Sequence, residues 1–495
     1  MNYAEILRLA APQTVIVVTA LAVLGADLVL LRGLELRFRL IIGALVSCAG
    51  CIVASAWLLA LPENTNLLHG ILVADSLTAF VNVALLVLTI FTILISIETD
   101  FTTHVGEYFA LILLAAVGMM FLASSEDILM IFVSLELTSL SLYILTAFNK
   151  RNVKSAEAAL KYFLFGGMSA AFTLFGLSLL YGLSGSTNLA QIAAALKGAP
   201  LDPLLIVAIV MTVIGFGFKV AAVPFHLWAP DAYEGAPAPS AALIASGSKV
   251  ASFFIAAKVM MIGFAGAEGS SAWHAYRPGW VPVLAVGAAA SMVLGNLTAI
   301  VQTSVRRLLA YSAIAHAGYM LLGIIGHGGQ SLASLVYYAV TYGLTTLGAF
   351  GVVSVVQQQA GGDTLAHFAG LHRRAPVLSF CMMIFMLSLA GIPPLAGFFG
   401  KFYVFAAVIG AGKDNLGLMW LVMLAVGLSA VSLYYYLQVL KQIYVVESPA
   451  DSDTPPARII TQSAVAVLAA AVLSLGLAPN LLISRLVDAI KLAGL

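Results

Sequence analysis

Long apolar segments alternate with short polar stretches along the whole chain. A helix that crosses a bilayer needs about 20 mainly apolar residues, and about fourteen segments have this character. They span residues 12–32, 40–61, 76–97, 107–123, 128–147, 155–183, 203–233, 238–263, 281–302, 305–326, 331–358, 375–411, 415–440 and 460–484. No linker between them is long enough to hold a soluble domain. The pattern predicts an all-α polytopic membrane protein with about fourteen transmembrane helices.

The composition excludes most other classes of protein. Hydrophobic residues make up 62% of the 495 residues and charged residues only 9%, against about 25% charged residues in a soluble domain. Polar surface is therefore too scarce to cover a water-soluble globule, which excludes a soluble enzyme. A net charge of +1 without charge runs excludes a disordered or nucleic-acid-binding chain. The three cysteines, at 48, 51 and 381, are too scattered for a disulfide framework or an iron–sulfur site.

Basic residues are distributed unequally between the two sides of the predicted bundle. When successive loops are assigned to alternating sides, one side, here called the basic face, holds twelve Lys and Arg residues, and the opposite inter-helix loops hold three. The twelve are Arg32, Arg37, Arg39, Lys150, Arg151, Lys154, Arg306, Arg307, Arg373, Arg374, Lys441 and Arg458. The three on the opposite face are Lys197, Arg277 and Lys413. Cytoplasmic loops are rich in Lys and Arg, so we expect both termini on the non-cytoplasmic side.

Five lysines lie inside predicted spans, where a charge is costly and usually functional. Lys219 and Lys249 lie near the middle of their segments and cannot easily reach the interface. Lys258 is nine residues beyond Lys249, and we expect it to extend towards the interface. Lys161 has Glu157 four residues before it, the favourable spacing for an ion pair, so a structural and a functional role both stay open. The fifth is Lys401.

Four further ionisable groups are placed differently. Glu136 is central in segment 128–147 and needs a partner from another helix. Glu126 and Asp127 lie at a segment boundary, where we expect solvation. His316 is central in segment 305–326, near Tyr311 and Ser312, which could help to relay protons. No third ligand accompanies the His pair at 367 and 372, and no nucleotide-binding loop is found, so we expect neither a metal site nor a bound cofactor.

Two unusually long segments contain prolines that should interrupt them. Pro224 lies in segment 203–233, and Pro393 and Pro394 lie in segment 375–411. Each is the fourth helix of a five-helix unit, covering 107–263 and 281–440 respectively. An odd number of helices inverts the second unit relative to the first, as in transporters whose interrupted helices line the ion site. The predicted organisation is a three-helix segment 1–106, repeats 107–263 and 264–442, and a loop with a final helix, 443–495.

Three stretches carry a resemblance to a known family: VPFHLWAPDAYEGAPAPSAALIASGSKVA at 223–251, RRLLAYSAIAHAGYM at 306–320 and AGIPPLAGFFGKFYVF at 390–405. They resemble the antiporter-like membrane subunits of respiratory complex I, most of all the N-type. The DAYEGAP form and a lysine in the second broken helix favour the N-type over the M-type, which typically has a glutamate there. Arg306 stands where a lysine is common.

The resemblance implies a function: proton translocation in an NADH:quinone oxidoreductase, driven by quinone reduction in other subunits. It implies that NADH, FMN, iron–sulfur clusters and quinone belong to partner subunits. Those partners would be M-, L-, K- and J-type neighbours, the hydrophilic arm and lipid, in the bacterial inner membrane. The implied proton path holds Glu136 paired with Lys219, then Lys249, His316 and Lys401, with Lys161 at a basic position of helix 6. A subunit of a multi-subunit cation/proton antiporter and a non-pumping assembly subunit remain alternatives.

Overall fold

The structure, a computed structural model, describes residues 7–61, 65–67, 70–198, 201–411, 417–447 and 459–494. The N-terminal part holds three long helices and one antiparallel hairpin. These are α1 (Ala11–Ala26), which continues as a π-helical turn Asp27–Leu31, α2 (Leu36–Ala60), the strands β1 (Thr65–Leu67) and β2 (Leu72–Ala74), and α3 (Ser76–Ser96). In the hairpin, Thr65 pairs with Ala74 and Leu67 with Leu72.

The next part contains the first interrupted helix. Its elements are α4 (Val105–Ala123), α5 (Ile128–Thr146), α6 (Val153–Ser184), the short α7 (Leu189–Leu196), α8 (Pro203–Lys219), α9 (Trp228–Gly235), α10 (Ala238–Ala245) and α11 (Gly247–Lys258) with a π-helical turn Val259–Gly263. Helices α8 and α9 correspond to predicted segment 203–233, so this segment is broken as predicted.

The second interrupted helix follows in the C-terminal half. The elements are α12 (Trp280–Ile300), α13 (Val305–Ile325), α14 (Gly328–Ala360), a 3₁₀ turn Leu365–Phe368, α15 (Leu371–Arg374), α16 (Pro376–Ala390), α17 (Ala396–Ala411), α18 (Met419–Tyr444), α19 (Ile459–Leu477) and α20 (Asn480–Leu492). Helices α16 and α17 form the second broken segment. Within the described ranges, twelve helices are long and apolar enough to cross a membrane, and α8, α16 and α17 are shorter apolar helices. The predicted polytopic all-α fold is confirmed.

Two boundaries differ from the prediction. Segment 238–263 is bent at Ser246, whose backbone is not helical (φ −111°, ψ −83°), three residues before Lys249. The last segment was predicted to reach residue 484, which is wrong, because α19 ends at Leu477. Pro479 lacks a backbone N–H and stands at the start of the separate helix α20. Arg485, Asp488 and Lys491 make this helix amphipathic rather than continuously apolar.

Acidic and amide side chains fix several helix starts. The Asp127 carboxylate accepts hydrogen bonds from the N–H groups of Leu129 and Met130, both at 3.0 Å. Asp75 caps α3 in the same way through Thr78, and such caps satisfy otherwise free donors of the first turn. Asp127 is therefore buried in a structural role, and the expectation that it is solvated is wrong.

The helices differ in how deeply they lie in the bundle. The combined stretch of α10 and α11 and the long helix α14 are surrounded by protein, as is nearly all of α13. By contrast, α1, α2, α6 and α18 expose many apolar side chains, as expected of helices that face lipid. The buried ionisable residues Lys249 and His316 lie on the central helices α11 and α13.

Candidate functional site

The first broken helix ends at a lysine that lies opposite a carboxylate. Helix α8 ends at Lys219, and its amine lies 3.7 Å from Glu136 Oε1 on α5. The same amine donates a hydrogen bond to the Ser139 hydroxyl. Because Glu136 and Ser139 are three residues apart, they lie on one face of α5. Lys219 therefore has both a charged and a neutral partner, and Glu136 has a partner from another helix, as its position required.

The break between α8 and α9 also provides a hydrogen-bond acceptor for a second lysine. The chain leaves α8 at Val220, passes Ala221 in a left-handed conformation (φ +55°), and reaches Pro224 before α9 begins. Lys249 is 2% exposed, and its amine donates a hydrogen bond to the Val220 carbonyl. A helix end leaves carbonyls without intrahelical partners and carries partial negative charge, which favours a cation there. Lys219 and Lys249 thus share one helix end.

His316 is hydrogen-bonded through both of its ring nitrogens. Nδ1 lies 2.8 Å from the Tyr338 hydroxyl and Nε2 lies 3.1 Å from the Tyr436 hydroxyl. Tyr436 shares a further hydrogen bond of 2.5 Å with Ser312. The sequence indicated Ser312 but missed both tyrosines, because they come from α14 and α18. Tyr311 forms no side-chain hydrogen bond among the described residues. A neutral imidazole bonded on both sides can accept a proton at one nitrogen and release one at the other.

The second broken helix encloses Lys401. Helix α16 ends at Ala390, and Gly391 turns the chain with φ +85° before Pro393 and Pro394. The Lys401 amine, on α17, donates to the carbonyls of Leu389 at 2.9 Å and Ala390 at 3.2 Å. It also donates to the Ser429 hydroxyl at 2.8 Å. The Lys401 amine thereby joins the two halves of the broken helix.

A glycine is required where the backbone passes Lys401. A Cβ atom built at Gly391 would lie 3.1 Å from Lys401 Cδ and 3.3 Å from its Nζ. The left-handed backbone conformation independently favours glycine. The sequence GIPP at 391–394 therefore accounts for the break between α16 and α17 and for the close approach of Lys401 to that break.

Lys161 lies apart from these buried groups. Its amine pairs with Glu157 at 2.7 Å and with Asp231 at 2.8 Å, and its side chain is 41% exposed. It belongs to a charged cluster at the basic end of α6 and α9, in which Arg307 contacts Asp231 and Glu234, both at 2.9 Å. The i−4 ion pair anticipated from the sequence is present, and no described hydrogen bond joins Lys161 to Lys219.

Arg306, next to this cluster, is buried and not a loop residue. Its guanidinium donates to the carbonyls of Tyr233, at 2.9 Å, and of Ala236. These carbonyls end α9, so an arginine of α13 fastens the second half of the first broken helix to the neighbouring five-helix unit. This contact could not be predicted from the sequence, because nothing in the spacing brings residues 233 and 306 together.

Three further charged residues lie in surroundings that differ from those expected. Lys258 does not extend to the interface: it is 2% exposed and pairs with Glu126 at 2.9 Å, so Glu126 is not simply solvated. Asp27 receives two hydrogen bonds from Arg39, at 2.7 and 2.8 Å, and one from the Gly106 N–H. Arg39, counted among loop residues, therefore pairs with Asp27 within the bundle.

The comparisons with known proteins agree with the motifs. The sequence matches the family described as NADH:quinone oxidoreductase/Mrp antiporter, TM, over residues 125–431. The chain is 54% identical to NADH-quinone oxidoreductase subunit N 2 of Acidobacterium capsulatum, over 97% of this chain and 98% of that protein.

Solved structures show the same fold. A chain of respiratory complex I from Thermus thermophilus with bound aureothin is 33% identical, with a TM-score of 0.77, over 96% of this chain and 99% of that chain. A chain of the Mrp complex from Dietzia sp. has a TM-score of 0.82 over 98% and 97% of the two chains. At 21% identity this second likeness shows the fold alone. The resemblance read from the motifs is confirmed: the chain belongs to the NADH:quinone oxidoreductase/Mrp antiporter family, among the antiporter-like N-type membrane subunits of respiratory complex I.

Proposed function

We propose that the chain translocates protons within an NADH:quinone oxidoreductase, through a path formed by Glu136, Lys219, Lys249, His316 and Lys401. The observation that carries the proposal is the position of the Lys219 amine between the Glu136 carboxylate and the Ser139 hydroxyl. A buried lysine with one charged and one neutral partner can change its charge state when the charged partner moves.

The pair at the first broken helix acts as a switch. Burial disfavours the ammonium form of a lysine, whereas a nearby carboxylate favours it. With Glu136 close, Lys219 keeps its proton, and when the pair opens, the proton passes towards Lys249. Lys249 receives it beside the Val220 carbonyl, which remains a neutral dipole. The broken helix thus holds donor and acceptor around one helix end.

The next steps lead through the centre of the protein. Among the described residues no hydrogen bond joins Lys249 to His316, and the proposed path crosses this interval by way of water. His316 then transfers a proton between its Tyr436 and Tyr338 sides, and Lys401 receives it at the second broken helix. Lys161 serves on the basic face, where its pairs with Glu157 and Asp231 link it to the cluster described above.

The two five-helix units, 107–263 and 264–442, form inverted half-channels in this proposal. Interrupted helices at corresponding places in such repeats are a feature of transporters. The energy comes from quinone reduction in partner subunits, which carry NADH, FMN, iron–sulfur clusters and quinone, while this chain supplies no redox centre. Neighbours would be M-, L-, K- and J-type membrane subunits in the bacterial inner membrane. The basic face would then be cytoplasmic and both termini would lie on the other side.

Two experiments test the proposal in the native assembly. Mild-detergent purification followed by mass spectrometry should recover flavin and iron–sulfur subunits with this chain; recovery with small hydrophobic partners alone would favour a cation/proton antiporter. In reconstituted complex, Lys219→Ala should lower the number of protons pumped per NADH oxidised. Lys150→Ala changes an exposed lysine of the basic face and should leave the ratio unchanged. A wild-type ratio in assembled Lys219→Ala would refute the switch and favour a non-pumping role.

A further inference from the structure

A cavity of about 440 Å³ lies among the N-terminal helices, on the face opposite the basic face. Its walls come from the beginnings of α1 and α3, the end of α2, the strand β2 and the amphipathic helix α20. Helix α20 packs against α3 and α14 and closes the cavity on one side. None of the residues assigned to the proton path lines this cavity, so its polar groups need a separate explanation.

Four buried side-chain oxygens that line the cavity have no hydrogen-bond partner among the described residues. They are Gln13 Oε1, Ser76 Oγ, Thr78 Oγ1 and Asn82 Oδ1. Gln13 and Asn82 are only 2% and 1% exposed. Buried polar groups are nearly always hydrogen-bonded, so four unpaired oxygens around one cavity indicate an occupant. Amide oxygens can only accept hydrogen bonds, and the occupant must therefore donate them.

Two charged side chains line the same cavity without pairing with each other. Asp75 accepts a hydrogen bond from the Thr78 N–H at the start of α3. Arg485, on α20, is exposed and forms no ion pair within the described part of the chain. A carboxylate and a guanidinium held apart in one cavity fit a ligand with both a positive and a negative group. An ammonium offers three donors to oxygen atoms, and guanidinium groups bind phosphate strongly.

The remaining lining is apolar and continues onto the surface that faces lipid. Leu59 lines the cavity near the end of α2 and is exposed. Ile52 and Leu45 are also exposed and precede it at intervals of seven residues, so the three side chains lie on one face of the helix. Because α2 runs from the basic face to the opposite face, this α2 stripe leads from the cavity into the membrane. An acyl chain attached to a group in the cavity can lie along it.

We propose that the cavity binds the headgroup of a phospholipid with a primary amine, in the leaflet opposite the basic face. The ammonium donates hydrogen bonds to the Asp75 carboxylate and to the amide oxygens of Gln13 and Asn82. Arg485 binds the phosphate, and one acyl chain lies along the α2 stripe. The lipid thereby joins α1, α3 and α20. A choline headgroup has no N–H to donate, and a glycerol headgroup has no positive charge, so the site selects phosphatidylethanolamine over both of these lipids.

Site-specific photolabelling tests this selectivity. The purified complex is reconstituted with phosphatidylethanolamine that carries a photoreactive acyl chain, and labelled peptides are mapped by mass spectrometry. We expect label on α2, removed by excess unlabelled phosphatidylethanolamine but not by phosphatidylcholine. At limiting lipid, Gln13→Leu should lower this labelling about tenfold, because a hydrogen bond from a charged donor is lost. Gln330→Leu, at an exposed glutamine of the same face, should keep it. Equal competition by phosphatidylcholine, or full labelling of Gln13→Leu, would overturn the proposal.

Thermal inactivation of the purified complex distinguishes lipid from water in the cavity. After most bound lipid has been removed with detergent, phosphatidylethanolamine should raise the inactivation temperature of the wild type. The rise should be smaller in Gln13→Leu and in Asp75→Asn, which keeps a helix-capping residue and removes only the charge. If the cavity holds water alone, the rise is equal in the wild type and both variants, and the proposal fails. Neither result depends on the proton path, since its residues lie elsewhere.

Discussion

The two broken helices hold their lysines in different electrostatic surroundings. At the first, Lys219 has the Glu136 carboxylate at 3.7 Å and the Ser139 hydroxyl beside it. At the second, Lys401 has two carbonyls and the Ser429 hydroxyl, and no carboxylate forms an ion pair with it in the described part of the chain. The first site therefore holds its lysine with a full charge, whereas the second holds its lysine with carbonyl and hydroxyl dipoles and the Tyr319 ring, whose centroid is 5.1 Å from the amine.

This difference shows how similar helix breaks can do different tasks. A carboxylate on another helix can move, and its movement changes which form of Lys219 is favoured. The dipoles around Lys401 belong to the end of α16 and to α18, so they are fixed by the fold and favour a cation constantly. In our proposal the movement of Glu136 controls whether Lys219 keeps its proton, whereas Lys401 receives the proton at a site that does not change. This difference gives proton transport a direction.

Removing the charge at Glu136 should lower proton transport more than any other change considered, because it abolishes the electrostatic difference between the two sites. Removing one partner of an ion pair leaves the other charge uncompensated, and Lys219 is only 9% exposed, so Glu136→Gln should lower coupled proton transport by more than about tenfold. Glu136→Asp keeps a charge and should be milder. Proton uptake by reconstituted complex during NADH oxidation measures both, with Glu35→Gln as a control at an exposed carboxylate. Equal losses in the Gln and Asp variants would show that side-chain size matters more than charge.

Gly391→Ala should disturb the second site without changing any charge. The new Cβ would lie 3.1 Å from Lys401 Cδ, and the left-handed backbone costs about 1–2 kcal/mol with a side chain. We expect coupled transport to fall by about five- to tenfold as Lys401 loses its carbonyl partners. Gly427→Ala is the matched control, since nothing lies within 4 Å of a Cβ there. Full transport by assembled Gly391→Ala would mean that Lys401 does not need the helix end.

Tyr436→Phe should weaken the connection between the two sites. It removes the hydroxyl that contacts both His316 and Ser312 but keeps the ring. A hydrogen bond contributes about 0.5–1.5 kcal/mol, so transport should fall about threefold. Tyr337→Phe, which removes a hydroxyl bonded to the Leu475 carbonyl, serves as the control in the same pumping assay. Equal rates of proton pumping in the two variants would show that the Tyr436 hydroxyl takes no part in proton transfer.

Asp27→Asn should have the smallest effect on transport, because Asp27 lies outside both sites. It weakens charged hydrogen bonds from Arg39 and Gly106, which contribute about 1.5–3 kcal/mol each. Thermal inactivation of the purified complex should therefore occur at a lower temperature, with unchanged protons per NADH below it. Asp488→Asn, at an exposed carboxylate, provides the comparison. A changed pumping ratio would show that the N-terminal helices take part in transport.

The sequence could place Glu136, Lys219, Lys249 and Lys401 inside spans, because each stands alone among apolar residues. It could also predict the two breaks, because proline removes a donor wherever it occurs. It could not predict that Lys249 bonds to Val220, or that Tyr338 and Tyr436 contact His316, since these residues are far apart in the chain. For Lys258 the sequence favoured a position towards the interface, whereas the amine pairs with Glu126 inside the protein. The position of a residue along its own helix does not reveal which side chain a neighbouring segment places beside it.

The sequence by itself thus determined the class of the protein, its helices, their two interruptions and the residues that must be explained. These follow from local rules: the length of an apolar segment, the missing N–H of proline and the cost of a charge in lipid. Only the tertiary structure decided which group faces each lysine, giving Lys219 and Lys258 a carboxylate each, and Lys401 two carbonyls and a hydroxyl. The physical reason is that an interaction energy depends on distances between atoms, and helix packing sets those distances.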